Sequence, residues 1–355
     1  MLAQVHIPET LTARELDQYL EGGWFRMGQT IFTTNFLNFK ERFYSALWLR
    51  IVLDRFLIDK THQNLIKRNA AFKIEIKEAS ITPEKEELYV RYKQGISFDA
   101  SPSLQHLLFG KTDQATSIYN TREINIYDGD KLIATGFFDL GTSSAAGISS
   151  FYDPAYKKYS LGKYLIYQKI NYCKELGLQY FYPGYFVPGY SFFDYKLTIG
   201  KPALEYLRLT SQQWFSIHNF SIEFIPFQVM NDKLDELQQL LVQMKVESKL
   251  LSYAYFDANL VPELREAGLF DSPLFLYPVS AEMDSIHPVI VIFDVLDQQY
   301  HLVQCLSVWT SDSPNGIPEI YSSHLLKVEY ELFSTKASGE MAAILSTGLT
   351  SAMNE

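Results

Sequence analysis

The chain reads as an α+β protein built around a mixed sheet, and three features of the sequence carry that expectation. Apolar residues alternate with period two over 71–79 (AFKIEIKEA), the pattern of a half-buried strand. Strand-like runs at 117–127 and 131–140 are joined by Asp128-Gly129-Asp130, a strong hairpin signal. From Ser149 to Lys201 the sequence then reads as strand, lysine-bearing loop, helix, short aromatic strand and aromatic loop, which interleaves helix with sheet. At 355 residues there is room for two or three domains with ample core.

Taken in order, residues 9–22 predict a short helix, with Thr12 and Glu15 at capping-box spacing and Gly22-Gly23 closing it. An extended run follows at 30–39 (TIFTTNFLNF), and the second half of 40–58 alternates as a strand. Residues 60–70 predict a polar helix with Lys67 and Arg68 near its end, where cations suit the helix dipole. Pro83 opens a helix that Gly95 ends, and 101–110 predicts another with Ser101 as N-cap and Pro102 in the first turn. Strand 146–152 leads into the central helix, for which Ser160 is the expected N-cap and Gly177 the left-handed stop. Beyond Phe220, helices are expected at 231–252, capped by Asn231, and at 259–268. Strands follow at 288–296 and 300–309. The expected partition is an N-terminal α+β lobe at 1–70, a mixed-sheet domain at 71–220 and a small α+β domain at 221–355.

Composition bounds the function. Hydrophobic residues are 47% and charged residues 20%, ordinary for a soluble globular protein. No run reaches the roughly 18 apolar residues of a membrane helix, and the N-terminus lacks a basic-then-apolar signal pattern, so a cytoplasmic protein without a membrane partner is expected. Residues 1–220 carry 25 Lys/Arg against 22 Asp/Glu, whereas 221–355 carry 6 against 19. Nucleic-acid contact therefore stays open for the first part and is disfavoured for the acidic last part, which suits protein contact. Cys173 and Cys305, like His287, His301 and His324, show no metal-ligand spacing, so no metal is expected.

The turn before the central helix holds the candidate chemistry. Free N–H groups at a helix start, with Gly162 in the first turn and Lys157 and Lys158 beside it, favour an anion. Asp153, set extended by Pro154 at a strand end, has two readings: a general base for an attacking amine, or an Asx-type cap on the turn. The order β, two helices, three adjacent strands, helix, strand resembles the GNAT acyltransferase fold. Lys157-x-x-Ser160-x-Gly162 is a degenerate form of its Arg/Gln-x-x-Gly-x-Gly/Ala turn.

The resemblance sharpens at longer range. Phe151-Tyr152-Asp153-Pro154, Ser160-Leu161-Gly162, Lys174-Glu175-Leu176-Gly177-Leu178, Tyr180, Tyr182, Gly184-Tyr185, Pro188-Gly189, Tyr195-Lys196, Pro202 and Leu204-Glu205 follow the order and spacing of the arginyl/leucyl-tRNA–protein transferases. Leu20, Gly23-Trp24, Arg26 and Gly28, then Leu49-Arg50-Ile51, Phe56, Gln63 and Lys67-Arg68-Asn69, resemble that family's N-terminal elements. The likeness covers about residues 9–210. Residues 30–48 depart from it: the family carries a Cys-x-x-Cys pair there, implicated in metal or cluster binding, and this chain has no cysteine.

The resemblance implies a transferase that moves an amino acid (arginine or leucine type) from aminoacyl-tRNA to protein N-termini. Asp153 would be the catalytic base. Lys157, Lys158, Ser160, Leu161, Gly162, Tyr182, Gly184, Tyr185, Tyr195 and Lys196 would hold the aminoacyl-tRNA end, with Tyr182 and Tyr185 stacking on its adenine. Trp24, Arg26, Arg50, Lys67 and Arg68 would read an acidic acceptor N-terminus. The implied partners are aminoacyl-tRNA and acceptor proteins, not DNA, and no cofactor is expected because the family's cysteines are missing. Two other readings stay open: an acyltransferase of the same fold using a small donor such as acetyl-CoA, and an inactive relative that binds N-termini or tRNA.

Overall fold

The capping box at Thr12 forms as the sequence dictates. In the computed structural model, which describes residues 2–40, 42–96, 100–111, 116–279, 286–310 and 324–352, strand β1 (Ala3–His6) precedes helix α1 (Ala13–Glu21). The Thr12 N–H donates to the Glu15 carboxylate at 2.8 Å, and the Glu15 N–H donates back to the Thr12 hydroxyl at 3.2 Å. Strands β2 (Phe25–Met27) and β3 (Thr30–Thr34) complete an antiparallel sheet in the order β1-β3-β2. The extended run at 30–39 breaks at Asn35, and β4 (Phe36–Phe39) pairs instead with β5 (Arg42–Ser45) as a separate hairpin.

The central sheet has eight strands. In chain order its elements are β6 (Leu47–Val52), α2 (Lys60–Arg68), β7 (Lys73–Glu78), α3 (Pro83–Lys93), α4 (Leu104–Phe109), β8 (Thr121–Asp128), β9 (Lys131–Leu140) and β10 (Ser144–Tyr152). Then come α5 (Leu161–Glu175), β11 (Tyr180–Phe186), β12 (Leu204–Arg208) and β13 (Gln213–Ser216). The strand order is β13-β12-β6-β11-β10-β9-β8-β7. Every neighbouring pair is antiparallel except β10 and β11, which run parallel because α5 crosses between them. A mixed sheet with one parallel pair bridged by a helix is the GNAT-like architecture the element order anticipates.

Successive residues of β9 serve opposite faces. Phe138 packs with Leu161, Leu165 and Ile170 of α5, while Phe137 packs with Leu88 and Leu104 of α3 and α4. A strand covered on both faces has no solvent side, which is why KLIATGFFDL shows no clean alternation. Two local expectations are corrected. Helix α4 starts at Leu104 with Ser103, not Ser101, as its cap, because the Ser103 hydroxyl reaches the His106 N–H at 3.0 Å. Ser160 does not cap α5: it is left-handed (φ 56°, ψ 42°), and its side chain makes no cap bond, because the turn at Pro154–Tyr159 runs straight into the helix.

The last third opens with α6 (Pro226–Gln243), followed by β14 (Ser248–Ser252), β15 (Leu274–Pro278), β16 (Val289–Asp294), β17 (Gln299–Thr310), β18 (His324–Thr335) and α7 (Ser338–Ala352). The strands form an antiparallel sheet in sequential order. Helices α6 and α7 bury Met230, Leu234, Leu237, Leu241, Met341 and Leu345 in one core with Phe275, Val291 and Tyr300. The helix expected at 231–252 starts earlier, with Pro226 in its first turn, and ends where Lys245 turns left-handed (φ 59°), so 248–252 is strand. The helix expected at 259–268 is absent: the Asn259 amide ties to the Leu269 carbonyl (2.9 Å) and N–H (3.3 Å), closing a loop. Leu2 and Phe36 join this C-terminal core, and the Phe227 N–H donates to the Ser45 hydroxyl at 2.9 Å. No helix among the described residues is long and apolar enough to cross a membrane.

Candidate active site

The site begins where two parallel strands part. Pairing of β10 with β11 runs only from Ser144 opposite Tyr180 to Ala146 opposite Tyr182, although both strands continue. β10 shifts register between Gly147 and Ser149, and β11 between Phe181 and Gly184, and such bulges bend a strand away from its neighbour. The wedge between them is a cavity of about 330 Å³. Its walls are Gly147, Ile148, Ser149 and Ser150 of β10, Phe181 and Pro183 of β11, and Gly162, Lys163, Ile166 and Lys169 of α5. Tyr92, Tyr152, Phe192, Tyr195 and Lys196 close its mouth.

Lysines give this cavity its electrostatics. Lys169 is 2% exposed, and its Nζ donates to the Phe137 carbonyl (2.8 Å), the Ser149 carbonyl (2.7 Å) and the Ser150 hydroxyl (3.0 Å). It thereby fastens the bulge of β10, and burial pulls its amine down to about 7. Lys196 donates to the Tyr185 carbonyl at 2.7 Å and lies over the rings of Tyr185 and Phe193; burial pulls it down to about 7 as well. Lys163 donates to the Thr198 hydroxyl at 3.0 Å and is also lowered by burial. Among the described residues lining the cavity there is no carboxylate. Sequence reasoning missed Lys169, yet a signal existed: it continues the buried i, i+4 stripe of Leu161, Leu165 and Cys173.

Of the residues singled out from sequence, Gly162, Tyr195 and Lys196 line the cavity. Gly184 has φ 86°, and a Cβ there would lie 3.3 Å from the Lys196 amine, so its bareness makes room for that lysine. The others lie elsewhere. Lys157 and Lys158 are exposed on the turn outside the cavity, and Leu161 is core. Tyr182 is buried against Phe25 and Trp214, so no base can stack on it. Tyr185 is engaged edge-on with Trp48 and packs against Phe193.

Asp153 takes the second of its two readings, the turn cap. One oxygen accepts from the Ala155 N–H at 3.0 Å, and the other lies 2.9 Å from Lys131 and 3.7 Å from Arg91. Burial alone would raise its pKa, but those hydrogen bonds and cations outweigh it and hold the carboxylate below its usual range. It is not among the residues lining the cavity.

The acceptor-reading set does not assemble. Arg26 is buried at 2.9 Å from Asp139 and also donates to Thr121 and to the Gly28 and Leu108 carbonyls. It stands at the edge of a second cavity of about 550 Å³ lined by Glu78, Ser80, Gln105 and Tyr119, but four of its five N–H donors are engaged by protein groups. Arg50 pairs with Glu205 at 2.7 Å between the rings of Tyr180 and Trp214. Trp24 packs on His6, Lys67 is exposed, and Arg68 donates to the Lys158 carbonyl at 3.3 Å. The Arg26–Asp139 pair is structural by these contacts. Arg26→Met is expected to cost about 3–5 kcal/mol by leaving Asp139 buried and unpaired, which urea denaturation would show.

Nor do residues 30–48 offer thiolates to a metal. The interval has no cysteine and folds in part as the β4–β5 hairpin, while Cys173 and Cys305 are buried in other cores. Asp294, Asp297 and His301 do bring ligand atoms within 4.8 Å of one another. Both His301 nitrogens, however, face carboxylates, Asp297 at 3.0 Å and Glu331 at 2.9 Å, an arrangement suited to an ion pair.

Comparison with known proteins identifies relatives of this chain. The family model "Arginine-tRNA-protein transferase, C terminus" matches residues 84–204, which carry every wall of the smaller cavity. An aspartate/glutamate leucyltransferase of Leptospira interrogans is 33% identical over 192 residues, 53% of this chain and 73% of that one. The enzyme of the same name from Vibrio cholerae is 26% identical over 212 residues, 58% of this chain and 85% of that one. Among solved structures, L-PGS from Bacillus licheniformis aligns over 52% of this chain and 54% of its own, at 12% identity and a TM-score of 0.31. The ribosomal-protein-S18-alanine N-acetyltransferase of Escherichia coli aligns over 30% and 63%, at 15% identity and 0.22. Those two likenesses are too partial to bear on function.

Proposed function

The chain belongs to the arginyl/leucyl-tRNA–protein transferase family, and on that premise we propose that it transfers leucine from leucyl-tRNA to proteins beginning with aspartate or glutamate. The lining of the smaller cavity supports the choice of leucine over arginine. Ile148, Ile166, Phe181 and Pro183 offer an isobutyl side chain apolar contact, whereas a guanidinium would meet Lys163, Lys169 and Lys196 and no carboxylate. A cavity of about 330 Å³ holds an aminoacyl group, with the ribose and terminal base left toward the mouth.

The reaction makes modest demands. The acceptor's α-amine attacks the ester carbonyl, the bond to the ribose oxygen breaks, and the proton shed by the amine leaves with that oxygen. An ester is already activated, so most of the acceleration comes from holding the two reactants together. In this reading Lys169 is a positioning residue that keeps the bulge in shape. Lys196 is the cation that meets the acidic side chain of the acceptor, since no carboxylate among the described residues pairs with it. The names of the relatives, which pair leucine transfer with aspartate and glutamate, point the same way.

The test is transfer from labelled leucyl- and arginyl-tRNA to peptides beginning with Asp, Glu or Ala. Leucine on the two acidic peptides is the expected product. Transfer of arginine, or acetylation from acetyl-CoA instead, would overturn the reading.

A further inference from the structure

The β4–β5 hairpin touches two parts of the molecule that are otherwise far apart in the chain. On one side it meets the loop Ser191–Thr198, which brings Phe192, Tyr195 and Lys196 to the cavity. Phe39 stacks on Tyr190 with centroids 4.8 Å apart and lies 6.2 Å from Phe193, and Tyr44 meets Tyr190 edge-on at 5.6 Å. Phe193 in turn is the ring beneath the Lys196 amine, 5.1 Å away. On its other side the hairpin packs on the C-terminal domain. Phe43 lies parallel to Phe227 of α6 at 6.1 Å and edge-on to Phe256 at 5.5 Å, and Phe36 meets Phe227 at 6.4 Å.

The loop needs such support. It is a run of short helical turns closed by local bonds such as the Phe193 N–H to the Tyr190 carbonyl (3.4 Å) and the Ile199 N–H to the Lys196 carbonyl (3.3 Å). Bonds of that kind fix the loop's internal shape but not its place over the cavity. Its place over the cavity is set by the Lys163–Thr198 and Lys196–Tyr185 hydrogen bonds together with ring packing, since stacked and edge-on pairs prefer particular orientations.

We propose that the β4–β5 hairpin is a strut through which the C-terminal domain positions the loop bearing Tyr195 and Lys196, which makes residues 221–355 part of the acceptor-binding machinery. Phe39 is the positioning residue on the site side and Phe227 its counterpart in the C-terminal domain. The link to acceptor binding rests on the assignment of Lys196 given above; the mechanical link does not.

The experiment uses the full-length chain with Phe39→Ala, Phe39→Tyr and Phe227→Ala, and melting temperatures show which variants are folded. Acylation of Lys196 by acetic anhydride at neutral pH, mapped by mass spectrometry against the exposed Lys60, reads the loop without reference to activity. Phe39→Ala and Phe227→Ala are each expected to change the relative Lys196 labelling by about threefold or more, since both loosen one ring path. They are also expected to raise KM for an Asp-starting peptide about tenfold with kcat little changed, and Phe39→Tyr is expected to restore both. Should Phe39→Ala not fold, Phe39→Leu keeps the bulk without the ring and takes its place. Folded variants with unaltered labelling would overturn the strut. Altered labelling with an unaltered KM would keep the strut and overturn only the role given to Lys196.

Discussion

Replacing Lys196 by glutamine is expected to lower kcat/KM for Asp- and Glu-starting peptides by about 100-fold, because truncating one side of a desolvated charge pair costs on the order of 2–5 kcal/mol. Ala-starting peptides, which offer no carboxylate, are expected to change little. The pH dependence sharpens the test. Burial brings the Lys196 amine to about 7, so in the free protein its charge is full below that pH and fades above it. The acceptor α-amine, with an ordinary value of about 7.7–8.0, must be neutral to attack and gains reactivity across the same range. The product of the two is a bell-shaped profile for acidic acceptors, with its alkaline limb set by Lys196. Lys196→Gln removes that limb, so its profile should rise and then level. A wild-type profile that already rises and levels, or equal losses for Asp- and Ala-starting peptides, would show that Lys196 does not read the acceptor.

The sequence exposed most of the local structure and less of the site. Strand β7 was legible because Lys73, Glu75 and Lys77 alternate with apolar residues, and the left-handed stop of α5 because Gly177 tolerates φ 73°. What local pattern cannot report is which way a bulged strand points its side chains. In β11 the register shift between Phe181 and Gly184 breaks the period-two rule, so Tyr182 and Tyr185 read as exposed stacking platforms when both face packed rings. Arg26 and Arg50 failed for a different reason. Their carboxylate partners, Asp139 and Glu205, lie more than a hundred residues away, so free and neutralised arginines look alike in sequence. The C-terminal domain was read in part. β16 is legible as an unbroken apolar run over 289–293, and β17 as the strand after the turn at 297–299, but β18 and α7 were not anticipated.

The interval at 30–48, where the resemblance implies cysteines, holds the aromatic β4–β5 hairpin. An aromatic hairpin needs no thiol and draws its order from its neighbours, so its geometry depends on both the site loop and the C-terminal core. The acidic C-terminal part also meets the N-terminal strand through charge, since the Asp271 carboxylate accepts from the Leu2 and Ala3 N–H groups.

Substituting methionine for Lys169 is expected to reduce kcat on the order of 100-fold, the loss that a displacement of about 1 Å at a reacting centre can cause. Methionine fills the space but cannot donate to the Phe137 and Ser149 carbonyls, so the bulge that shapes the cavity loses its fastening. Each carbonyl left unpaired costs about 1–3 kcal/mol. Against that, the variant no longer buries an amine whose ordinary value is 10.5 and which the fold brings to about 7. Between those two values the unfolded chain holds a proton that the folded chain has released. Wild-type stability should therefore rise with pH from about 7 toward 10.5, and the destabilising contribution is full below 7. Lys169→Met removes this contribution, so urea denaturation at pH 7 and pH 9.5 should show a smaller gain in stability for the variant than for the wild type. Gly136→Ala offers a second route to the same site. Its added Cβ would lie 2.9 Å from the Lys169 side chain and push the amine from its place, with a smaller loss of kcat and the charge retained. If both variants keep the wild-type kcat, Lys169 is a core residue with no hold on the chemistry.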